Sequence, residues 1–308
     1  MSIKNEATIK KIVVNNLTKQ YSGTSKPSLD DLTLHVNAGE VYGFLGPNGA
    51  GKSTAIRTLL NFIQPTSGSA TILDLDIVKD SVKIKESVGY LSGDFAVYPK
   101  MTGANYLYYM SELQPPESKE YVLELVKRLK AEPTKQMGDL SRGNRQKFGI
   151  IQAFMHKPDI IILDEPTSGL DPLMQEEFYK LVLEAKERGA AVFMSSHIMS
   201  EIQKMCDRVG IIREGKLVDE KTIADMANQA SQTFDITFNG SVPIAELKAI
   251  KAARVVSHED SNITIHMHGE LTPLFKVLAK HEVTKMDARN LDLEELFLSF
   301  YSGKETKS

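Results

Sequence analysis

Nine consecutive residues carry the clearest chemical signal in the chain. They contain the eight-residue pattern G-x-x-x-x-G-K-[S/T], in which backbone N–H groups surround phosphate oxygens. In order, the residues are Gly46, Pro47, Asn48, Gly49, Ala50, Gly51, Lys52, Ser53 and Thr54. A strand is predicted before the loop (Val41–Leu45) and an apolar-periodic helix after it (Ile56–Phe62). Lys52 would contact the β- and γ-phosphates and the Ser53 hydroxyl would bind Mg²⁺, so the loop predicts nucleotide binding.

Two acids follow a second apolar run. Ile160–Leu163 predicts a buried parallel strand, and Asp164 and Glu165 come directly after it. Open α/β sheets bind ligands beyond the carboxyl ends of their strands. Asp164 is therefore predicted to hold Mg²⁺, directly or through water. Glu165 is predicted to polarise the attacking water as a general base.

Composition excludes several classes of protein. The chain has 308 residues, of which 42% are hydrophobic and 25% are charged, as in ordinary globular proteins. A net charge of -3 argues against a basic nucleic-acid surface, so we expect no nucleic-acid partner. The single cysteine, Cys206, rules out an intrachain disulfide. Neither a signal peptide nor a run of roughly 18 apolar residues is present, so we expect an intracellular protein that needs a partner at any membrane.

The elements that must position these residues have an α/β pattern. Over about 220 residues, short apolar runs alternate with helical patterns, which favours a mainly parallel sheet. A further buried strand is predicted at Ala191–Ser195. Ile12–Leu17 and Leu32–Val36 have the pattern of antiparallel strands with a partly exposed edge. The fold class is thus α/β with an antiparallel β subdomain.

Two regions depart from this pattern. Asn105–Leu113 and Glu120–Leu129 have helical spacing with no intervening strand, which predicts a helical subdomain over about 100–157. After Asp219 a small α+β domain is predicted, with strands at Thr233–Phe238 and Asn262–His268. Its helices are predicted at Ala245–Lys251, Thr272–His281 and Asp292–Tyr301. The predicted domains are therefore 1–222 and 223–302, followed by a disordered tail, 303–308.

Three further motifs resemble those of the nucleotide-binding subunits of ATP-binding cassette (ABC) transporters. Leu140–Lys147 resembles the LSGGQ signature with its third and fifth positions changed. Ser168–Asp171 is similar to the D-loop, and Ser195–His197 is similar to the switch-histidine motif. The resemblance covers about residues 10–220. It implies a P-loop NTPase fold of ABC type that binds ATP and Mg²⁺.

The resemblance also implies a composite site. In the family, the signature residues grip the nucleotide bound by an opposing subunit, so that two cassettes form a head-to-tail sandwich. Here those residues are Ser141, Arg142, Gly143 and Asn144. At the start of a helix, a hydroxyl and free N–H groups can bind a γ-phosphate; an ordinary serine N-cap is the alternative. The implied partners are a second ABC ATPase subunit, identical or different, and integral-membrane permease subunits.

The remaining motif residues take roles from the same resemblance. His197 is implied to sense the γ-phosphate, which completes a catalytic set with Glu165 and Lys52. Asp171 is implied to be the D-loop acid. Tyr21 matches the aromatic residue that stacks on adenine, although a tyrosine there could also be only a core or surface residue.

The Q-loop departs from the family pattern. Gly93 occupies the glutamine position and offers no side chain to a metal or water. Asp94 is the nearest oxygen ligand, and two alternatives stay open: Asp94 faces Mg²⁺ when ATP is bound, or it caps a turn while water fills the position. Asn144 is a milder change from the usual glutamine, because it keeps an amide.

The resemblance implies an ATPase that drives a separate permease from the cytoplasmic face of the cell membrane. The C-terminal domain and Leu291–Phe297 resemble drug or antibiotic exporter ATPases, so an exporter is expected. A non-transport ABC-type regulator of translation or repair is an alternative, and the single uninterrupted cassette counts against it. A second alternative is a regulatory sensor that binds ATP but barely hydrolyses it. The presence of Glu165 and His197, the residues expected for hydrolysis, counts against this alternative.

Overall fold

The computed structural model describes residues 9–95, 97–229, 232–267 and 269–290. The chain divides into two compact units, Met1–Lys221 and Thr222–Ser308. The predicted helix at Asp292–Tyr301, the tail 303–308 and the segment Leu291–Phe297 lie outside the described residues, as does His268. None of the helices within the described ranges is long and apolar enough to cross a membrane.

The first unit begins with strands and then alternates strands with helices. Its strands are β1 (Lys10–Lys19), β2 (Leu29–Asn37), β3 (Val41–Leu45), β4 (Ser67–Ile72), β5 (Leu75–Asp76), β6 (Val88–Leu91), β7 (Ile160–Asp164), β8 (Ala191–Ser196), β9 (Arg208–Arg213) and β10 (Lys216–Thr222). Its helices are α1 (Lys52–Leu59), α2 (Ser81–Glu86), α3 (Gly103–Leu113), α4 (Lys119–Arg128), α5 (Arg142–Phe154), α6 (Pro172–Glu187) and α7 (Met199–Met205).

A six-stranded sheet forms the centre of this unit, in the order β10-β9-β3-β8-β7-β6. The neighbouring pairs from β9 to β6 are parallel, as the compact apolar runs predict. All residues of β3, β7 and β8 are buried, which explains why these strands are continuous apolar runs rather than alternating ones. The three buried strands predicted from the sequence are confirmed.

A second sheet is antiparallel and has the order β2-β1-β4-β5. Residues of one face, such as Ile12, Val14 and Leu34, join the same apolar core as Phe44 and Phe193 of the central sheet. The two predicted antiparallel strands, Ile12–Leu17 and Leu32–Val36, are confirmed, and the structure shows that they pair with each other. The α/β fold class with an antiparallel subdomain is therefore correct.

Helices α3, α4 and α5 lie between β6 and β7, where the helical insertion was predicted. Thr102 and Ser118 cap α3 and α4 by accepting bonds from backbone N–H groups. Helix α5 carries the predicted signature residues at its N-terminus and buries its later turns, including Phe148 and Ile151. This helix leads directly to β7, so the signature and the acid pair are linked by one short stretch of chain.

The second unit has a β-α-β-β-α-β arrangement after its first helix. Its elements are α8 (Ile223–Gln229), β11 (Gln232–Phe238), α9 (Ile244–Lys248), β12 (Ala253–Glu259), β13 (Asn262–Met267), α10 (Thr272–Leu278) and β14 (Val283–Asn290). The sheet is antiparallel with the order β12-β13-β11-β14, which is a ferredoxin-like split arrangement. Phe234, Ile236 and Ile265 are buried in its own core.

Candidate functional site

The glycine-rich loop connects β3 to α1 and holds Lys52 at its end. The buried Lys52 Nζ atom donates hydrogen bonds to the carbonyl oxygens of Gly46 (2.7 Å) and Pro47 (3.1 Å). Burial lowers the pKa of Lys52, and the Glu165 carboxylate, 3.5 Å away, opposes that effect. The ammonium group is thus fixed inside the loop, where it can meet phosphate oxygens.

Gly51 shows why the loop needs glycine. Its φ of +113° lies in the left-handed region, and a β-carbon there would lie 2.5 Å from the Ser28 carbonyl oxygen. The loop borders a cavity of about 270 Å³. The cavity is lined by Ser28, Asn48, Gly49, Gly51, Lys52, Ser53, Thr54 and Glu165. The predicted phosphate-binding residues and the predicted base therefore surround one space.

Asp164 ends β7 and is buried. Its Oδ1 atom accepts a hydrogen bond from the Ser195 hydroxyl at 2.6 Å, which holds the carboxylate at the end of the neighbouring strand β8. Gly93, at the Q-loop position, also lies here, because a β-carbon on it would be 3.0 Å from the Asp164 carbonyl oxygen. A side chain at residue 93 would begin directly beside the acid.

Glu165 follows in a conformation that the sequence does not reveal. Its φ of 47° is left-handed, which is uncommon for a non-glycine residue. The backbone N–H of Glu165 donates to the carbonyl oxygen (3.2 Å) and hydroxyl (3.1 Å) of Ser195. As a result, the Glu165 Oε1 atom lies 3.3 Å from His197 Nδ1 as well as 3.5 Å from Lys52 Nζ. The structure brings the three predicted catalytic residues together.

The signature segment packs against the D-loop of its own chain. Ser141 is the N-cap of α5 and accepts a bond from the Asn144 N–H at 3.3 Å. A β-carbon on Gly143 would lie 2.1 Å from the Gly169 carbonyl oxygen, so glycine is required for this close approach. Ser141 and Gly143 do not line the cavity around Lys52. A role for them toward another nucleotide stays a prediction.

Arg142 and Asp94 line a second cavity beside the signature helix. The Arg142 Nη2 atom donates to the Gly93 carbonyl oxygen at 3.4 Å. Asp94 is exposed and lines a separate cavity of about 280 Å³ with Phe95, Arg142, Arg145 and Gln146. It is not among the residues that line the cavity around Lys52. A metal contact by Asp94 stays a prediction.

Two further predicted residues have local structural roles. Asp171 is the N-cap of α6 and accepts a bond from the Met174 N–H at 3.1 Å. Tyr21 is 36% exposed, and Lys19 Nζ lies 5.4 Å from the centre of its ring. Its ring is thus accessible to an adenine, but it does not line the cavity around Lys52.

Known proteins match this arrangement in sequence and in fold. Residues 29–168 match the family model described as ABC transporter. The bacitracin transport ATP-binding protein BcrA of Bacillus licheniformis is 35% identical over 301 residues, which cover 95% of this chain and 97% of that protein. The chain belongs to the ATP-binding proteins of ABC transporters.

Solved structures agree with the family. The structure of an ATP binding subunit of an ABC transporter has a TM-score of 0.65 and 26% identity, over 70% of this chain and 91% of that one. A dimeric bacterial ABC transporter cassette has a TM-score of 0.62 and 24% identity, over 69% and 98%, and supports the fold. The chain is accordingly an ATP-binding, ATP-hydrolysing subunit of an ABC transporter.

Sequence reasoning gave no individual role to several residues that build the site. Ser195 bonds both Asp164 and Glu165, and Gln146 donates to the Pro166 carbonyl oxygen at 3.1 Å. Glu201 is a buried acid on α7. The signals available were weak: Ser195 ends an apolar strand, and Glu201, four residues beyond the predicted switch motif, resembles any helical surface acid.

Proposed function

We propose that this subunit hydrolyses Mg²⁺-ATP and thereby drives a separate membrane permease that exports its cargo. The position of the Glu165 carboxylate carries the hydrolytic part of the proposal. Its Oε1 atom lies between Lys52 Nζ (3.5 Å) and His197 Nδ1 (3.3 Å), at the edge of the cavity bordered by the phosphate-binding loop. A carboxylate there can take a proton from water that attacks the γ-phosphorus.

The hydrolytic step transfers the γ-phosphoryl group to water. A water oxygen forms a bond to the γ-phosphorus while the bond to the β–γ bridging oxygen breaks, giving ADP and phosphate. Glu165 takes the proton from the water, and Lys52 faces the charge on the phosphate oxygens. His197, on the other side of Glu165, would contact the γ-phosphate as in the family.

The donor atoms at the site fit Mg²⁺. Asp164 is a buried carboxylate with one oxygen that accepts a hydrogen bond from Ser195, and Ser53, which carries a hydroxyl, is among the residues that line the cavity. Hard oxygen donors of this kind suit Mg²⁺. Ser53 and Asp164 would hold the ion, which when bound neutralises charge on the phosphates.

The signature residues support a two-subunit cycle. Ser141 and Gly143 lie at the N-terminus of α5, whose free N–H groups favour an anion, and they do not line the cavity around Lys52 of the same chain. A second ABC subunit, placed head to tail, would present its ATP there. ATP would close the two cassettes and hydrolysis would reopen them.

The proposal of export rests on similarity that extends through the second unit. The match to the bacitracin transport protein covers 95% of this chain, whereas the cassette structures cover about 70%. The accessory α+β unit is thus shared with that transport protein. We infer a position at the cytoplasmic face of the membrane, where permease subunits hold the protein.

Reconstitution tests this proposal. The tagged chain is purified from detergent-solubilised membranes, and the complex is placed in proteoliposomes. We expect a co-purifying multi-span protein, and ATP added on the cassette side should drive bacitracin, used as the probe, into the lumen. Accumulation in the opposite direction would contradict export. Mg²⁺-dependent ATPase activity with no membrane partner would instead favour a regulatory ATPase.

A further inference from the structure

Glu201 lies next to the catalytic pair and has no part in the hydrolytic step described above. It lies on α7 with only 7% of its surface exposed. Transfer of a carboxylate out of water is costly unless its oxygens are hydrogen-bonded. The hydrogen-bond donors to Glu201 therefore indicate the role of this buried carboxylate.

The two carboxylate oxygens bond to two different segments of the site. Oε1 accepts a hydrogen bond from the Thr167 hydroxyl, and Oε2 accepts one from the Ser196 hydroxyl at 2.7 Å. Thr167 is two residues after Glu165, and Ser196 immediately precedes His197. One side chain thus joins the segment of the base to the segment of the histidine.

Ser196 extends the network around His197. Its hydroxyl accepts a bond from the Ile198 N–H at 2.9 Å, so the residues on both sides of the histidine are tied to one oxygen. The Ser196 carbonyl oxygen also accepts from the N–H of Gly46, the first glycine of the phosphate-binding loop, at 3.2 Å. Ser196 therefore contacts the phosphate-binding loop through its carbonyl oxygen, and its hydroxyl is linked through Glu201 to the segment that carries Glu165.

We propose that Glu201 is a positioning residue for hydrolysis, an inference that rests on the proposed roles of Glu165 and His197. By bonding to Thr167 and Ser196, Glu201 fixes the segment of Glu165, whose backbone is left-handed, relative to the segment of His197. The Glu165 Oε1 atom and the His197 Nδ1 atom are thereby held 3.3 Å apart. Small displacements of reacting groups reduce rates strongly, so a bridge of this kind matters for turnover more than for nucleotide binding.

The test compares Glu201→Gln and Glu201→Asp with Glu187→Gln. Glutamine keeps the shape of the side chain but has one acceptor oxygen, and aspartate is too short to reach both hydroxyl groups. Glu187 is exposed at the end of α6, so its change is a matched control. We expect both Glu201 variants to lower kcat about tenfold, with KM for ATP and the ATP Kd within about twofold of the parent values. Glu187→Gln should match the parent.

A double variant separates positioning from stability. In a Glu165→Gln background, Glu201→Gln should cause little further loss in single-turnover rate, because both changes act on the same step. A parent-like kcat for both Glu201 variants would overturn the inference. So would parallel losses of kcat, ATP affinity and Tm. If Glu165→Gln itself remained active, the proposed base would be wrong, a result distinct from failure of the Glu201 proposal.

Discussion

The Oε1 atom of Glu165 lies 3.3 Å from the Nδ1 atom of His197, across the ends of two adjacent parallel strands. The contact joins β7 to β8, which are separated in sequence by the whole of α6. It depends on the left-handed backbone at Glu165 and on the two bonds from its N–H to Ser195. The contact places the predicted base beside the predicted γ-phosphate sensor at the carboxyl edge of the sheet.

Replacement of the base should stop turnover without preventing binding. Glu165→Gln should lower kcat on the order of a hundredfold or more, because glutamine cannot accept the proton from water. ATP affinity should be retained, and an ATP-bound dimer should accumulate. Steady-state ATPase assays and size-exclusion chromatography measure both, with Glu187→Gln as the exposed control. Parent-like hydrolysis would remove Glu165 from the role of base.

The signature needs a substitution that preserves the fold. Gly143→Asp is unsuitable, since any β-carbon there meets the Gly169 backbone in the same chain. Ser141→Asn removes the hydroxyl but keeps a good N-cap for α5. We expect monomeric ATP binding and Tm to persist while ATP-driven dimerisation weakens, as analytical ultracentrifugation can show. If dimerisation were unchanged, Ser141 would be an N-cap only.

The Q-loop hypothesis is tested at Asp94. If this carboxylate approaches the metal when ATP is bound, Asp94→Ala should raise the Mg²⁺ concentration required for half-maximal ATPase activity. Folding should be unaffected, since Asp94 is exposed. A Mg²⁺ titration at saturating ATP gives the answer. An unchanged Mg²⁺ requirement would assign Asp94 to the cavity that it lines with Arg142 and Arg145.

Arg128 should be a main contributor to the attachment of the helical insertion. From the end of α4, its Nε atom donates to Glu177 (2.6 Å), and its Nη atoms donate to both oxygens of Glu184 (2.6 and 2.9 Å) on α6. Arg128→Met should lower the free energy of unfolding by about 1–2 kcal/mol in urea titrations. Lys135→Met, which removes an exposed pair with Glu132, should cost less than about 0.5 kcal/mol. Equal effects would mean that the Arg128 pairs contribute no more than surface pairs.

His156 should make the stability of the first unit depend on pH. Burial lowers its pKa from 6.5 to about 4, with the nearby backbone of Val88 and Gln152 acting in the opposite direction. Below pH 6.5 the unfolded chain binds a proton that the folded chain does not, so stability falls as the pH decreases toward 4. The loss should approach about 3 kcal/mol by pH 4 and then level off.

The measurement for His156 is a series of urea titrations between pH 7.5 and pH 4. The slope of unfolding free energy against pH reports how many more protons the unfolded chain binds than the folded chain. In His156→Leu this difference should be smaller by up to one proton between pH 6.5 and pH 4. His197→Leu provides the comparison, because this histidine is 46% exposed. Identical slopes for the parent and His156→Leu would show that the buried ring does not control the pH response.

The sequence by itself determined the parts of the protein that follow local rules. The phosphate-binding loop is contiguous, because glycine spacing alone allows its N–H groups to converge on an anion. Buried strands such as β3 and β7 are unbroken apolar runs, and the acids at the end of β7 fall at the binding edge of the sheet. These features made the α/β fold and the ATP site predictable.

Edge strands were harder to predict. In the second unit, β11 and β13 were predicted from their apolar alternation, whereas β12 and β14 were not. Both missed strands lie at the edges of the sheet order β12-β13-β11-β14, and polar residues break their patterns. Their pairing with central strands, rather than their own periodicity, makes them strands.

Only the tertiary structure decided how the site is held together. Glu165 has a left-handed backbone that no local pattern predicted. Two sets of contacts join residues from different elements: Gly143 packs against Gly169, and Glu201 bonds to Thr167 and Ser196. No local pattern marks such contacts, because hydrogen bonds and close packing depend on which chain segments the sheet order brings together. The sequence therefore determines which chemical groups are present, and packing between the strands and helices determines which of them meet.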